Sequence, residues 1–300
     1  MENIMAKINL SQKADVYQLI TNRLIEIMDK GIIPWRQPWN HGYGSPRNLV
    51  SKRHYQGINV FILACYGSNY GSPYWLTFKQ AQDLGGSVRR GQRGTPVVFW
   101  KLYDKDDPES DTGISTIPVL RYYTVFNTEQ CEGIPVPPPE GFAWANHNPI
   151  EAAEAVIRDM PNRPAIEIGG NRACYSPSRD LVKVPDLFRY EHAEEYYSVL
   201  YHELGHSTGH KSRLNRDGIT ENHFFGSPDY SREELIAEMT SAFLCGHTGI
   251  ENATLQNSAA YIQNWIRTLK GDKRLAINAG SFAQKACNYI LGHHVSQDCE

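Results

Sequence analysis

The 300-residue chain has no apolar run approaching the ~18–20 residues of a membrane span. Its first residues, MENIMAKINLSQKADVYQ, contain no apolar h-region, so a secretory leader is not expected. Six cysteines (Cys65, Cys131, Cys174, Cys245, Cys287 and Cys299) are scattered without a C-x-x-C pair, which argues against a disulfide frame or a cysteine metal site. The turn-rich stretch from Gly85 to Gly94 is followed by no G-K-[ST], so hydrolysis of a nucleotide at a Walker loop has no support. No internal repeat is visible. These absences place the chain in a reducing cytoplasm with no membrane partner. Its length suits two domains, each large enough for its own core.

Acid is scarce in one region only. The whole chain has a formal net charge of −3, yet residues 31–101 hold nine Lys or Arg against a single acid, Asp83. Such a segment calls for an anionic partner. It is also rich in aromatics, among them Trp35, Trp39, Tyr55, Tyr74, Trp75, Phe99 and Trp100. Cations interleaved with rings compose a single-stranded nucleic-acid groove, in which phosphates meet Lys and Arg while bases stack. Many of these rings are needed for a core, so the charge is the stronger half of the signal.

What the chain does have is His202-Glu203-Leu204-Gly205-His206, an H-E-x-x-H motif. Histidines four apart on a helix lie on one face, where two imidazoles can bind one Zn²⁺. Glu203 is then the expected general base for the water activated there. A catalytic zinc needs a third protein ligand and an open position. The segment from Ser231 to Leu244 reads as a second helix with Leu235, Ile236, Met239, Ala242 and Phe243 on its apolar face. It carries Glu233, Glu234 and Glu238. Glu234-Leu-Ile-Ala-Glu238 resembles the E-x-x-A-[DE] pattern of thermolysin-like enzymes, in which the first acid binds metal and the second supports a ligand histidine. Glu234 is the leading third ligand, with Glu233 and Glu238 as alternatives. Ser231 to Glu234 is also S-x-x-E, so a capping box is a rival role for Glu234. His210, four residues beyond His206, is a further candidate, although Gly209 is expected to end or bend the helix. A metzincin pattern would need histidine at 212, which is Ser212. Manganese or another divalent metal remains an alternative to zinc.

Periodicity predicts helices over Ser11–Lys30, Tyr55–Tyr66 and Thr77–Leu84, and strands over Pro96–Leu102 and Tyr122–Phe126. Pro34 to Trp39 is expected to be extended and non-helical, and Asp104–Asp111 to be an acidic turn. Residues 134–148, with their Pro-rich Ile134 to Gly141, form the expected linker between a domain at 1–133 and a second at 149–300. In the second, a helix from Pro149 to Met160, strands over Ala165–Ile168, Ala173–Ser176 and Leu181–Val184, and helices over Ala253–Leu269 and Ser281–Leu291 complete an α+β architecture.

Taken in order, these features resemble the ArdC-type antirestriction proteins of conjugative plasmids. In the first half the resemblance rests on Pro34-Trp35 with Pro38-Trp39, Tyr55-Gln-Gly-Ile-Asn59, Trp75 to Gln80, the Gly85–Gly94 loop and Val125-Phe-Asn127 with Gln130. In the second it rests on Gly169-Gly170, Tyr175-Ser-Pro, Leu200 to His210, Arg213-Leu214, Glu233 to Glu238 and Tyr261 to Trp265. The resemblance implies a single-stranded-DNA-binding domain joined to a zincin-like metallopeptidase domain, and protection of incoming DNA from host restriction. The expected DNA contacts are Trp35, Arg36, Trp39, Arg47, Lys52, Arg53, Tyr55, Lys79, Arg89, Arg90 and Arg93, with duplex DNA held more weakly than single strands. A protein of the restriction machinery is the expected peptidase substrate, and Tyr175, His210 and Tyr261 are candidates to stabilise an oxyanion. Two rival readings are a DNA-dependent repair protease and a DNA-coating protein whose metal site is structural or vestigial.

Overall fold

The computed structural model describes residues 15–36, 45–106, 114–137, 148–216, 219, 228–250 and 259–293. Helix α1 (Val16–Met28) starts where the Asp15 side chain accepts from the Gln18 amide at 3.2 Å, and it buries Ile20, Leu24, Ile27 and Met28 along one stripe. After it, Pro34–Arg36 forms a 3₁₀ turn, where extended chain was expected. Pro34 opens this turn, a position at which the missing N–H does no harm.

A four-stranded sheet follows, in the order β1 (Arg47–Asn48), β2 (Tyr74–Thr77), β5 (Ile114–Asn127), β4 (Thr95–Asp106). Between β1 and β2 runs α2 (Ile58–Gly67), and after β2 the short α3 (Phe78–Asp83). The latter is nucleated by a capping box in which Thr77 and Gln80 satisfy each other's amides. Strands β4 and β5 form a long antiparallel hairpin, paired from Thr95↔Val125 to Asp106↔Ile114. Both strands outrun their expected lengths, so Asp104 lies in the ladder instead of a turn. A small ribbon joins β3 (Ser87–Val88) to β6 (Cys131–Glu132).

Beyond residue 148, α4 (Pro149–Asp159) is capped by Asn148. A three-stranded sheet then places β9 (Leu181–Val184) between β7 (Ala165–Ile168), parallel to it, and β8 (Cys174–Ser176), antiparallel. Helices α5 (Ala193–Ser207), α6 (Pro228–Thr248), α7 (Ala259–Gly271) and α8 (Leu275–Ile290) complete the half.

The packing joins the two halves. One buried cluster runs from Ile20, Leu24, Trp35, Ile58 and Phe61 through Leu200, Leu235, Phe243 and Trp265 to Ile277 and Ala283. Phe61 of α2 meets Phe243 of α6 with ring centroids 4.9 Å apart. Gly280 of α8 lies against the start of α2 so closely that an added Cβ would stand 2.8 Å from the Ile58 amide nitrogen. Two smaller clusters, around Trp75 with Val97 and Val125, and around Tyr74 with Leu76, belong to the first half alone. The expected linker lies mostly outside the described residues. Cys65, Cys131, Cys174, Cys245 and Cys287 are free, and burial pushes the thiols of Cys65, Cys245 and Cys287 up to about 12. Among the described residues no helix is long and apolar enough to cross a membrane.

Candidate metal centre

Helix α5 carries the H-E-x-x-H motif and α6 the acidic residues, so everything depends on how closely the two helices pack. Small residues line the crossing. The Ser241 hydroxyl donates to the Ser198 carbonyl at 2.8 Å, and Gly205 faces Ala237 and Thr240. A Cβ on Gly205 would come within 3.2 Å of both the Ala237 Cα and the Thr240 Cβ, which only glycine avoids without moving a neighbour.

At this spacing Glu234 reaches both histidines. Its Oε1 is 3.2 Å from His202 Nε2 and its Oε2 is 3.7 Å from His206 Nε2, while the two Nε2 atoms are 3.1 Å apart. The donor atoms of His202, His206 and Glu234 all lie within 4.8 Å of one another. The three side chains are 22%, 17% and 28% exposed, so the cluster is partly open to solvent. Two imidazoles and a carboxylate with room for a further ligand suit a divalent cation of the zinc type. Burial opposes charge on His202, but the carboxylates of Glu234, Glu203 and Glu238 outweigh it and raise the imidazole to about 9. A cation entering the site therefore displaces a proton.

The capping-box role for Glu234 is excluded, because α6 begins at Pro228 and Ser231 lies inside it. Glu203, the next residue after His202, is buried. Glu233 is also buried, with Oε1 3.6 Å from His206 Nδ1 on the side away from Glu234. Arg216 grips Glu233 through Nε at 3.0 Å and through Nη2 at 2.5 Å. It also donates to Thr208 Oγ1 at 2.6 Å and to the Gly205 carbonyl at 2.9 Å. Burial pushes the Glu233 carboxyl up, yet His206 and Arg216 hold it below the usual glutamate range. Sequence reasoning missed Arg216, since nothing in its neighbourhood marks a cation that will be buried.

Glu238, expected to support a ligand histidine, has other hydrogen-bond partners. Trp35 Nε1 donates to it at 2.7 Å, Arg36 Nη2 at 3.3 Å, and the Tyr261 hydroxyl also bonds it. Arg36 lies over the Tyr261 ring, 3.9 Å from its centroid. Burial raises the Glu238 carboxyl against the pull of Arg36. His210 is not part of the metal cluster; its Nδ1 pairs with Ser212 Oγ at 2.8 Å. The Tyr175 hydroxyl donates to Asp180 at 2.8 Å and sits 3.3 Å from Arg213 Nη2.

Several expected DNA contacts require correction. Trp35 is fully buried, edge-on to Trp265 at 5.7 Å, and cannot stack on a base from that position. Arg36 is held inward by Glu238 and Tyr261. Tyr55 is only 9% exposed and belongs to the core around Trp75. Trp39 lies outside the described residues. Lys52, Arg53, Lys79, Arg89, Arg90 and Arg93 are exposed, and Arg47 is half-buried beside the Tyr74 ring.

Comparison with known proteins matches both halves. Residues 14–126 match the N-terminal domain of anti-restriction factor ArdC, and residues 151–282 match a zincin-like metallopeptidase family. The Mn(II)-bound crystal structure of antirestriction ArdC protein from plasmid R388 is 36% identical and superposes with a TM-score of 0.73, covering 93% of this chain and 97% of that one. Its metal-free structure gives 35% identity and a TM-score of 0.70, covering 92% and 96%. A DNA primase TraC of Escherichia coli is 33% identical over 96% of this chain, which spans only 21% of that primase. The uncharacterized protein y4eC of Sinorhizobium fredii (strain NBRC 101917 / NGR234) is 34% identical, with 92% of this chain and 91% of that protein covered. With both modules matched in order, and whole relatives matched at more than a third identity, the chain belongs to the ArdC family of antirestriction proteins.

Proposed function

We propose that this protein protects incoming plasmid DNA from host restriction in the cytoplasm. In this reading it binds single-stranded DNA, with duplex held more weakly, and carries a metal-dependent peptidase site directed at a protein of the restriction machinery. The observation that carries the peptidase reading is the convergence of His202, His206 and Glu234 around a space open to solvent, with Glu203 on the same helix. Zn²⁺ suits the donor set, and Mn²⁺ is the alternative, in keeping with the Mn(II)-bound structure of the R388 relative.

His202, His206 and Glu234 hold the cation, and the proton raised onto His202 leaves as they do so. When bound, a divalent cation supplies Lewis acidity toward a peptide carbonyl. Glu203 takes a proton from the attacking water on its carboxylate and returns it to the leaving amine nitrogen. Glu233, itself anchored by Arg216, fixes the orientation of the His206 ring from behind. In the first half, the exposed Lys52, Arg53, Lys79, Arg89, Arg90 and Arg93 meet phosphates, with Arg47 beside Tyr74.

The test is protection of transferred plasmid DNA in a restricting recipient, comparing wild type with Glu203→Gln. Collapse of protection, with metal content and single-strand affinity retained, supports a proteolytic step. Intact protection removes that step and leaves a DNA-coating role. Cleavage of any DNA-bound protein, restriction enzyme or not, favours the repair-protease reading instead.

A further inference from the structure

The β4–β5 hairpin has a face that the charge count over residues 31–101 only partly reaches. Strand alternation sorts Lys101-Leu-Tyr-Asp-Lys105 into two sides: Lys101, Tyr103 and Lys105 on one, Leu102 and Asp104 on the other. Asp104 accepts from the Thr116 hydroxyl at 3.2 Å on that second side. The register pairs Phe99 with Arg121 and Tyr103 with Ile117, which adds Arg121, and Tyr123 two residues further along, to the first side. No carboxylate occupies a described strand position on this side.

The contacts agree with this sorting. Arg121 Nη2 donates to the Tyr103 hydroxyl at 3.0 Å and its Cζ lies 5.6 Å from the Tyr103 ring centroid; Lys101 Nζ lies 5.1 Å from the same centroid. Phe99 and Tyr123 pair edge to face with centroids 5.5 Å apart. Tyr103 and Tyr123 are 37% and 36% exposed. The base of the face turns into the core through Val97, Val125 and Trp75, so the rings stand on an anchored ladder. Rings partly exposed to water, with cations around them and no carboxylate among the described strand positions of this side, match a ligand that is both flat and anionic. A single strand offers free base faces and phosphates together, whereas a duplex hides the bases.

We propose that this face, with Phe99, Lys101, Tyr103, Lys105, Arg121 and Tyr123, is the platform on which single-stranded DNA stacks. It rests on the DNA-binding reading above and gives that reading a place. From Phe99 to Lys105 the strand extends about 20 Å at ~3.3 Å per residue, enough for two or three bases on an aromatic sheet face.

The test uses the full chain and fluorescence anisotropy with labelled oligothymidylate, its duplex with oligoadenylate, and a salt series. Tyr103→Leu is expected to weaken single-strand binding about tenfold while leaving the salt dependence unchanged. Tyr122→Leu, which removes an exposed ring from the opposite side, leaves affinity as in wild type. Lys101→Gln with Arg121→Gln lowers the slope of log affinity against log salt by about 1.4, roughly 0.7 for each phosphate no longer neutralised. Lys101, Tyr103 and Tyr122 are exposed and Arg121 is half-buried, and unchanged thermal melting checks the fold. If wild type binds single strands and both variants bind within about twofold of it, the platform is wrong and the DNA-binding reading stands. If wild type does not bind at all, both fall.

Discussion

The Trp35 indole nitrogen donates to Glu238 Oε2 at 2.7 Å, joining residues 203 positions apart in the sequence. Glu238 lies one turn beyond Glu234, the proposed third ligand, on α6, so the first half of the chain holds the helix that would supply the metal's carboxylate. Trp35→Phe keeps a ring in the pocket but leaves a buried carboxylate short of a donor. A hydrogen bond to a charged group is worth about 1.5–3 kcal/mol, and stability should fall by that much in chemical denaturation. An unchanged midpoint would show that the bond does not persist in solution.

Gly205→Ala sets two effects against each other. On an isolated helix, alanine gains about 1 kcal/mol over glycine. Here the added methyl meets the backbone of α6 at 3.2 Å, and overpacking of this kind costs about 1–3 kcal/mol. The clash wins, because backbone cannot rotate away. The variant should be less stable and bind metal more weakly, since the two ligand-bearing helices are pushed apart. Titration with metal at fixed pH, alongside a melting curve, measures both.

Arg216 and Glu233 form a buried pair whose members are 2% and 7% exposed. Arg216→Met leaves Glu233 buried with His206 as its remaining partner among the described residues, and breaking a buried pair from one side costs about 3–5 kcal/mol. Replacing both together by Met and Leu should recover part of the loss. A double-mutant cycle by urea denaturation separates the two contributions, and additive losses would mean that the pair does not act as a unit.

A chelator should lower the melting temperature of the metal-loaded wild type, because a ligand at one hundred times its Kd stabilises the folded state by about 2.7 kcal/mol. The Glu234→Ala variant should melt at a temperature insensitive to chelator. An equal chelator response in both would move the metal away from Glu234.

The histidine pair was legible because it is local: two histidines four apart need only a helix to share a face. The third ligand was legible as a group of acids but not as one residue. Choosing among Glu233, Glu234 and Glu238 depends on how α6 rotates against α5, which Gly205 and Ala237 decide together. Ser231 looked like a cap, yet the helix starts before it, at Pro228. Trp35 shows the opposite limit. Its basic, aromatic neighbourhood suggested an exposed ring, and only the packing of α7 against the first half reveals that it is interior. The Lys101–Lys105 stretch was read in part as an acidic turn because its charges look mixed in one dimension; a strand separates them by side.

The core that runs through both halves has a consequence for inheritance. Segments matched by two different family models are ordinarily pictured as exchangeable cassettes. Here a cut within 134–148 would bare Ile58 and Phe61 on one fragment, and Phe243, Ile277 and Ala283 on the other, all of them apolar surfaces shaped by the missing half. A recombinant carrying either segment alone would need new residues at those positions before it could fold cleanly. Changes in one half are therefore constrained by the other, even at residues far from DNA and from metal.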